Sequence, residues 1–281
     1  MNLQERLSAL SQFSNDSPLF FIMGTCAIES ESLTLTVAHH LKQLSEKYGF
    51  HVVYKSSFDK ANRTSAAGYR GIGMDEGLKI LSKVRTEIGL PVLTDVHESQ
   101  HVSAVADVVD VIQIPAFLCR QTDLLLAAAA TGKPVHLKKG QFITPDQAQK
   151  AVEKIIDANS KSNVWIAERG YTFGYGNLVV DYKNFSQMKK FAPVIFDSHS
   201  VQLPGSVGGA SSGGQREFIA PLAIAAVSQG IAGVFMEVHP EPEKALSDGP
   251  NSVRLSTLEP LIAYLQELDQ FVKSRKTPET C

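Results

Sequence analysis

Apolar, β-branched runs recur eight times along the chain, and each stops on a polar or charged residue before helical periodicity begins. The runs and their endings are FFIMGTCAIE (Cys26), HVVYKS (Lys55), PVLTDVH (Asp95), VIQIP (Gln113), PVHLKK (Lys138), VWIAER (Arg169), PVIFDSH (Asp197, His199) and GVFMEVH (Glu237, His239). Parallel strands covered on both faces read as continuous apolar runs of this kind, and their alternation with helices argues for βα units. Eight units close into a barrel whose active site lies at the strands' C-terminal ends. The pattern therefore predicts an α/β fold, a single (β/α)8 TIM barrel over residues 1–281 with a short N-terminal extension, and an enzyme site built from those endings.

The helical stretches carry recognisable ends. Thr144-Pro145-Asp146-Gln147 offers an N-cap, a proline in the first turn and a capping-box partner, followed by a stripe of Ala148, Val152, Ile155 and Ile156. The last helix is expected to start at Ser256, with Glu259 three residues on and Leu261, Leu265, Leu268 and Val272 as its buried face. The first should bury Leu33, Val37, Leu41 and Leu44, leaving His39 and His40 as ordinary surface or interface residues. Connections entering strands are short, as in EIGLPV and ATGKPV. Those leaving strands two, six, seven and eight are long and rich in Gly, Ser and Asn, and long loops in a compact domain are more often functional than not.

Composition narrows the class further. The chain is 43% hydrophobic with a formal charge of −2, which supplies a core and argues against a general polyanion-binding surface. No run approaches the roughly 18 apolar residues of a membrane span, and residues 1–17 lack the apolar core of a signal peptide. Three cysteines, Cys26, Cys119 and Cys281, do not make a disulfide scaffold. The sequence reads as cytoplasmic, with Cys119 structural and Cys281 in an exposed tail.

The loop after strand two, KSSFDKANRTSAAGYRG, holds Lys55, Lys60, Arg63 and Arg70 with Ser57 and Asn62, and strands five and six add Lys138 and Arg169. Singly, each could be a solvated or paired charge. As a group converging on one barrel mouth they would repel if unpaired, so they point to an anionic ligand; phosphate and carboxylate suit Arg forks and Lys point charges best. Nucleic acid does not fit a concave cluster on an otherwise non-basic chain. On the other side, Cys26, His199, Glu237 and Asp248 combine thiolate, imidazole and carboxylates, all competent ligands for a divalent transition metal. No short-range ligand motif accompanies them, burial as a small hydrophobe would equally explain Cys26 alone, and His239, two residues from Glu237, is a rival ligand.

Several long motifs then speak together: KSSFDKANRTSAAGYRGIG, TDVHE, DVIQIPAFLCRQTDLL, FGYGNLVVD, PVIFDSHSVQLPG and FMEVHPEPEKALSDGP. They closely resemble the 3-deoxy-D-manno-octulosonate 8-phosphate synthase family over roughly residues 18–273. The sister 3-deoxy-arabino-heptulosonate 7-phosphate synthases usually carry lysine–proline–arginine–threonine where this chain has Lys60-Ala61-Asn62-Arg63. The Ala-Asn insertion selects the octulosonate branch. The rivals are the seven-carbon reaction on erythrose 4-phosphate, and a barrel that binds sugar phosphates without turning them over.

The resemblance implies a condensation in which C3 of phosphoenolpyruvate attacks the aldehyde of arabinose 5-phosphate, water adds at C2, and phosphate leaves by C–O cleavage. By the same similarity Lys138 and Arg169 hold the phosphate of phosphoenolpyruvate beside the backbone of Pro115 and Ala116. Lys55, Ser57 and Lys60 hold its carboxylate, with Gln113 lining the pocket. Asn62, Arg63 and Ser212 match positions that grip the sugar phosphate. Arg120 matches a residue reaching a neighbouring subunit's sugar phosphate, in a family that is usually tetrameric. Lys60, Lys138, His199 and Asp248 are the residues expected to act in the reaction itself. Metal-dependent members carry cysteine on strand one and metal-independent members asparagine, so Cys26 implies a divalent metal (zinc, iron, manganese or cobalt) on Cys26, His199, Glu237 and Asp248. One departure concerns His199: the strand-seven motif usually reads Asp-x-Thr-His, whereas Asp197-Ser198-His199 is one residue shorter.

Overall fold

The computed structural model of the chain describes residues 8–203 and 213–275. The expected strands all form: β1 (Phe20–Gly24), β2 (Val52–Lys55), β3 (Val92–Asp95), β4 (Val111–Ile114), β5 (Val135–Lys138), β6 (Val164–Glu168), β7 (Val194–Asp197) and β8 (Gly233–His239). Each lies parallel to the next, and β1 pairs with β8, Phe20 opposite Gly233 and Gly24 opposite Glu237. That pairing closes the barrel. Between strands run α1 (Glu31–Tyr48), α2 (Met74–Lys83), α3 (Val102–Val108), α4 (Thr122–Ala130), α5 (Pro145–Ala158), α6 (Lys183–Met188) and α7 (Ile219–Val227), with α8 (Leu258–Lys273) last. No helix among the described residues is long and apolar enough to cross a membrane.

Local chemistry explains where the helices begin. The Thr144 hydroxyl accepts from Gln147 N–H while the Gln147 side chain accepts from Thr144 N–H, so the capping box closes as its spelling predicts. Three helical faces differ from expectation; in α1 Leu33 is only partly buried, and Thr34 and Ala38 lie inside with Val37, Leu41 and Leu44. Ile156 is half exposed, the α5 stripe being completed instead by Ala151. In α8 the buried positions are Leu258, Ile262, Leu265 and Asp269, and no side chain caps the helix. The face is turned because Asp269, apolar by no scale, is drawn inward. It accepts from Leu19 N–H at 2.9 Å and pairs with Lys273 at 2.6 Å, tying α8 to the start of β1. Glu259 meanwhile pairs with Lys47 on α1.

Two apolar clusters result. The larger lies between barrel and helices. The smaller fills the barrel interior and includes Ile22, Val53, Leu93, Val111, Trp165 and Ile195, with Leu10 and Phe13 from the N-terminal extension. Phe13 stacks on Phe20 with centroids 4.1 Å apart and tilts against Trp165 at 5.6 Å. Asn15 fixes the segment by accepting from Val194 N–H at 2.8 Å and donating to Ala192 O at 3.1 Å. The extension thus plugs the barrel at the strands' N-terminal ends, and the polar groups are left to the other end.

Candidate active site

At the C-terminal ends of the strands opens a cavity of about 480 Å³. Its wall contains Lys55, Lys60, Asn62, Arg63, Gln113, Pro115, Ala116, Lys138, Arg169, His199, Glu237 and Asp248, so most residues singled out in the sequence meet there. The strand geometry produces this directly. Lys55, Lys138 and Asp197 are the final residues of β2, β5 and β7, and Glu237 lies within β8 next to β1's last residue, Gly24. Gly24 must be glycine: a Cβ there would come within 1.9 Å of the Lys55 carbonyl oxygen. Just beyond, Ala27 bridges to Ser57, which brings the β1 and β2 loops together and sets Cys26 beside Lys55.

The charges are interleaved, and this corrects the premise of unpaired cations. Lys138 Nζ is 2.7 Å from Asp197 Oδ2, and Arg169 Nε is 3.7 Å from the same oxygen. Lys55 Nζ donates to Glu237 Oε1 at 3.0 Å and to Cys26 O at 2.9 Å, while Lys60 Nζ lies 4.0 Å from Glu237 Oε1. Arg63 reaches Asp248 Oδ1 at 3.4 Å and the Ser247 hydroxyl. Asp197 was legible only as a strand ending, and its work as counterion to two strands was missed. Its strand-final position was the available signal. Arg70 belongs elsewhere: it is exposed and paired with Asp59.

Burial opposes ionisation of Asp197, Glu237, Lys138, Lys60 and Cys26, and the neighbours overcome it in three of the five. For Asp197, burial is outweighed by Lys138, His199 and Arg169, which hold the carboxyl well below its ordinary range. Glu237 is held low in the same way by His199, Lys55 and Lys60. Burial, helped by the Arg169 and Lys55 charges, lowers the Lys138 ammonium to about 8 in spite of Asp197. Lys60 goes the other way, since Cys26, Glu237, Asp95 and Asp248 overcome burial and raise it. Burial, then Glu237, pushes the Cys26 thiol up to about 12; without a cation it stays protonated at neutral pH, so a metal binding there must displace its proton.

Cys26 Sγ, a Glu237 oxygen and an Asp248 oxygen lie within 4.8 Å of one another. Asp248 has φ 47°, the sole positive φ outside glycine among the described residues. Aspartate tolerates this left-handed region better than most residues, and such strain concentrates at functional sites. His199 stands one contact away. It sits on the 3-10 turn Ser198–Val201, its N–H donating to Asp197 Oδ1 at 3.0 Å and its Nε2 facing Glu237 Oε2 at 2.9 Å. The ring contacts these two carboxylates and falls outside the three-ligand group. His239 lies 3.6 Å from Glu29 and likewise falls outside it.

Three expectations among the described residues, Cys26, Ser57 and Arg120, stand apart from the cavity wall. Ser57 is wholly buried and donates its hydroxyl to Asp95, whose other oxygen is 2.9 Å from His97 Nε2. Both Asp95 and His97 line the cavity, a pair that TDVHE contained without disclosing its role. Arg120 is exposed and absent from its own chain's cavity. Ser212 lies outside the described residues, as does Cys281; Cys119 is buried, as expected of a structural thiol.

Comparison with known proteins gives a consistent result. Residues 8–274 match the model of the DAHP synthetase I family. A 2-dehydro-3-deoxyphosphooctonate aldolase of Acidithiobacillus ferrooxidans is 54% identical over 264 residues, 93% of either chain. Proteins of the same name from Cupriavidus necator and Dichelobacter nodosus are each 53% identical, covering 92% and 93% of this chain and 91% and 95% of their own.

Proposed function

The chain belongs to the DAHP synthetase I family, and on that premise we propose that its barrel mouth condenses phosphoenolpyruvate with D-arabinose 5-phosphate and water, releasing 3-deoxy-D-manno-octulosonate 8-phosphate and phosphate. One observation carries the reading: a chain alike along 93% of its length to an octonate aldolase gathers Lys55, Lys60, Arg63, Lys138 and Arg169 around one cavity. Two phosphates and a carboxylate need such a wall.

Lys138 and Arg169 hold the phosphate of phosphoenolpyruvate, exchanging Asp197 for phosphate oxygens, with the backbone of Pro115 and Ala116 alongside. Lys55 and Lys60 face its carboxylate. Ser57 supports this pocket through Asp95, its hydroxyl proton being already committed. Asn62 and Arg63 take the sugar phosphate together with Ser212. Lys60, kept protonated by its acidic neighbours, places a charge and a proton for the aldehyde oxygen as it becomes an alcohol. Lys138, lowered to about 8, stands near the pH at which a general acid or base works best, next to the departing phosphate. The donor set of Cys26, Glu237 and Asp248, with His199 beside it, fits a divalent transition metal. Bound there, such an ion would polarise the aldehyde or lower the pKa of water.

The test is aldose choice. The kcat/KM for arabinose 5-phosphate should far exceed that for erythrose 4-phosphate, and comparable values would overturn the eight-carbon assignment. Arg63→Ala, deleting a charge-assisted phosphate contact worth about 1.5–3 kcal/mol, should weaken sugar-phosphate use and leave phosphoenolpyruvate affinity nearly intact.

Arg120 adds a quaternary expectation. Exposed on its own chain, it is free to complete a neighbour's sugar-phosphate site in the homo-oligomer, a tetramer by resemblance, that we propose. Active protein should therefore sediment as an assembly at assay concentration. Turnover by a monomer would refute the shared site.

A further inference from the structure

Below the charged rim, the barrel interior holds one titratable side chain that the chemistry above does not use. His136, on β5, is completely buried. Its Nδ1 lies 3.1 Å from Gln113 Oε1 on β4, and its Nε2 is buried without a hydrogen-bond partner. The ring stacks near Phe235 at 5.9 Å between centroids. Residues 113 and 136 are directly paired in the parallel ladder, so their side chains rise from the same level of the barrel.

We infer that His136 is a positioning residue for Gln113, fixing which end of its amide faces the bound phosphoenolpyruvate. An amide oxygen only accepts, so a hydrogen bond from Nδ1 requires the tautomer with the proton on Nδ1. The Nε2 lone pair then rests in an apolar layer, where a bare acceptor costs less than an unpaired charge. With Oε1 held inward, Gln113 presents its amide N–H groups to the cavity it lines; that nitrogen makes no hydrogen bond to any described residue. The opposite amide orientation would put a carbonyl oxygen toward an anionic substrate. Burial, then the Lys138 charge, keeps His136 well below the usual histidine range, so the ring remains neutral and the arrangement holds. The inference rests on the assignment of Gln113 to the phosphoenolpyruvate pocket, and the test separates the two.

Three variants of the assembled, metal-loaded enzyme are compared. Gln113→Ala should raise the KM for phosphoenolpyruvate; no change would remove Gln113 from the pocket and the inference with it. His136→Leu, which frees the amide to turn over, should raise that KM by about tenfold, the size of one lost neutral hydrogen bond, with the arabinose 5-phosphate KM unmoved. His136→Asn, whose amide nitrogen can replace the Nδ1 donor, should restore most of the loss. A Leu variant that matches wild type while Gln113→Ala does not would overturn the role of His136 alone, as would equal loss in the Leu and Asn variants. Nitrogen-15 resonances of His136 in wild-type protein give a reading independent of any variant's folding. A protonated Nδ1 is expected, and a protonated Nε2 with bare Nδ1 would overturn the inference.

Discussion

Exhaustive chelation should abolish turnover, and a divalent transition metal should restore it, while the barrel stays folded. The expectation follows from the company Cys26 keeps. Its thiol lies with Glu237 and Asp248 oxygens inside 4.8 Å, and a thiolate beside two carboxylates is a concentration of negative charge that calls for a balancing cation. The lysines and Arg63 supply part of that balance, but they are also the groups needed by the anionic substrates. An ion on Cys26, Glu237 and Asp248 would release them. The fold should survive because the site sits on loops and strand ends, outside both apolar clusters. Cys26→Ala should lose bound metal and activity together. Cys26→Asn is the sharper variant, since resemblance puts asparagine here in metal-independent members; it should keep some chelator-resistant turnover, below wild type. Full activity in metal-free protein, verified by elemental analysis, would show that the triad is a buried polar cluster and nothing more.

The largest stability effect should come from Asp197. Its carboxylate is 1% exposed and contacts Lys138, Arg169 and His199. Removing one partner of a buried ion pair leaves an uncompensated charge and costs about 3–5 kcal/mol, so Asp197→Ala should unfold well below wild type. Inorganic phosphate should stabilise the variant more than the parent, since Lys138 and Arg169 would accept it in place of the missing carboxylate. The pH dependence has a definite sign. A carboxyl depressed in the folded state contributes fully above the ordinary carboxylate range and loses that contribution as pH falls through its folded value. The gap between wild type and variant should therefore close in acid. Equal thermal midpoints at neutral pH would mean that the network is electrostatically idle.

Strand order and the location of the mouth were legible because a buried parallel strand leaves a continuous apolar run, and its polar ending marks the exit. The Thr144–Gln147 cap was legible because both partners lie within four residues. What failed was long-range. Asp269 reads as solvent-facing, and only its contact with Leu19, 250 positions away in sequence, turns α8 so that Leu258 and Ile262 are buried in place of Leu261 and Leu268. In the same way, the basic residues after β2 look unpaired along the chain, because their counterions Glu237 and Asp248 arrive from β8 and its loop. His199 was readable as a site residue. Its contact with Glu237 was not, because that carboxylate arrives from β8.

The plug formed by Leu10 and Phe13 decides the traffic of the molecule. With Phe13 stacked on Phe20 and leaning on Trp165, the described residues make the barrel a cup that opens at the rim, with its floor filled against any drain of phosphate. Everything that arrives or departs shares the rim bearing Lys60, Asn62 and Arg63. Whichever molecule seats deeper must enter before its partner and wait for that partner's departure, so a stretch of chain at the floor, touching no reactant, imposes a queue at the door.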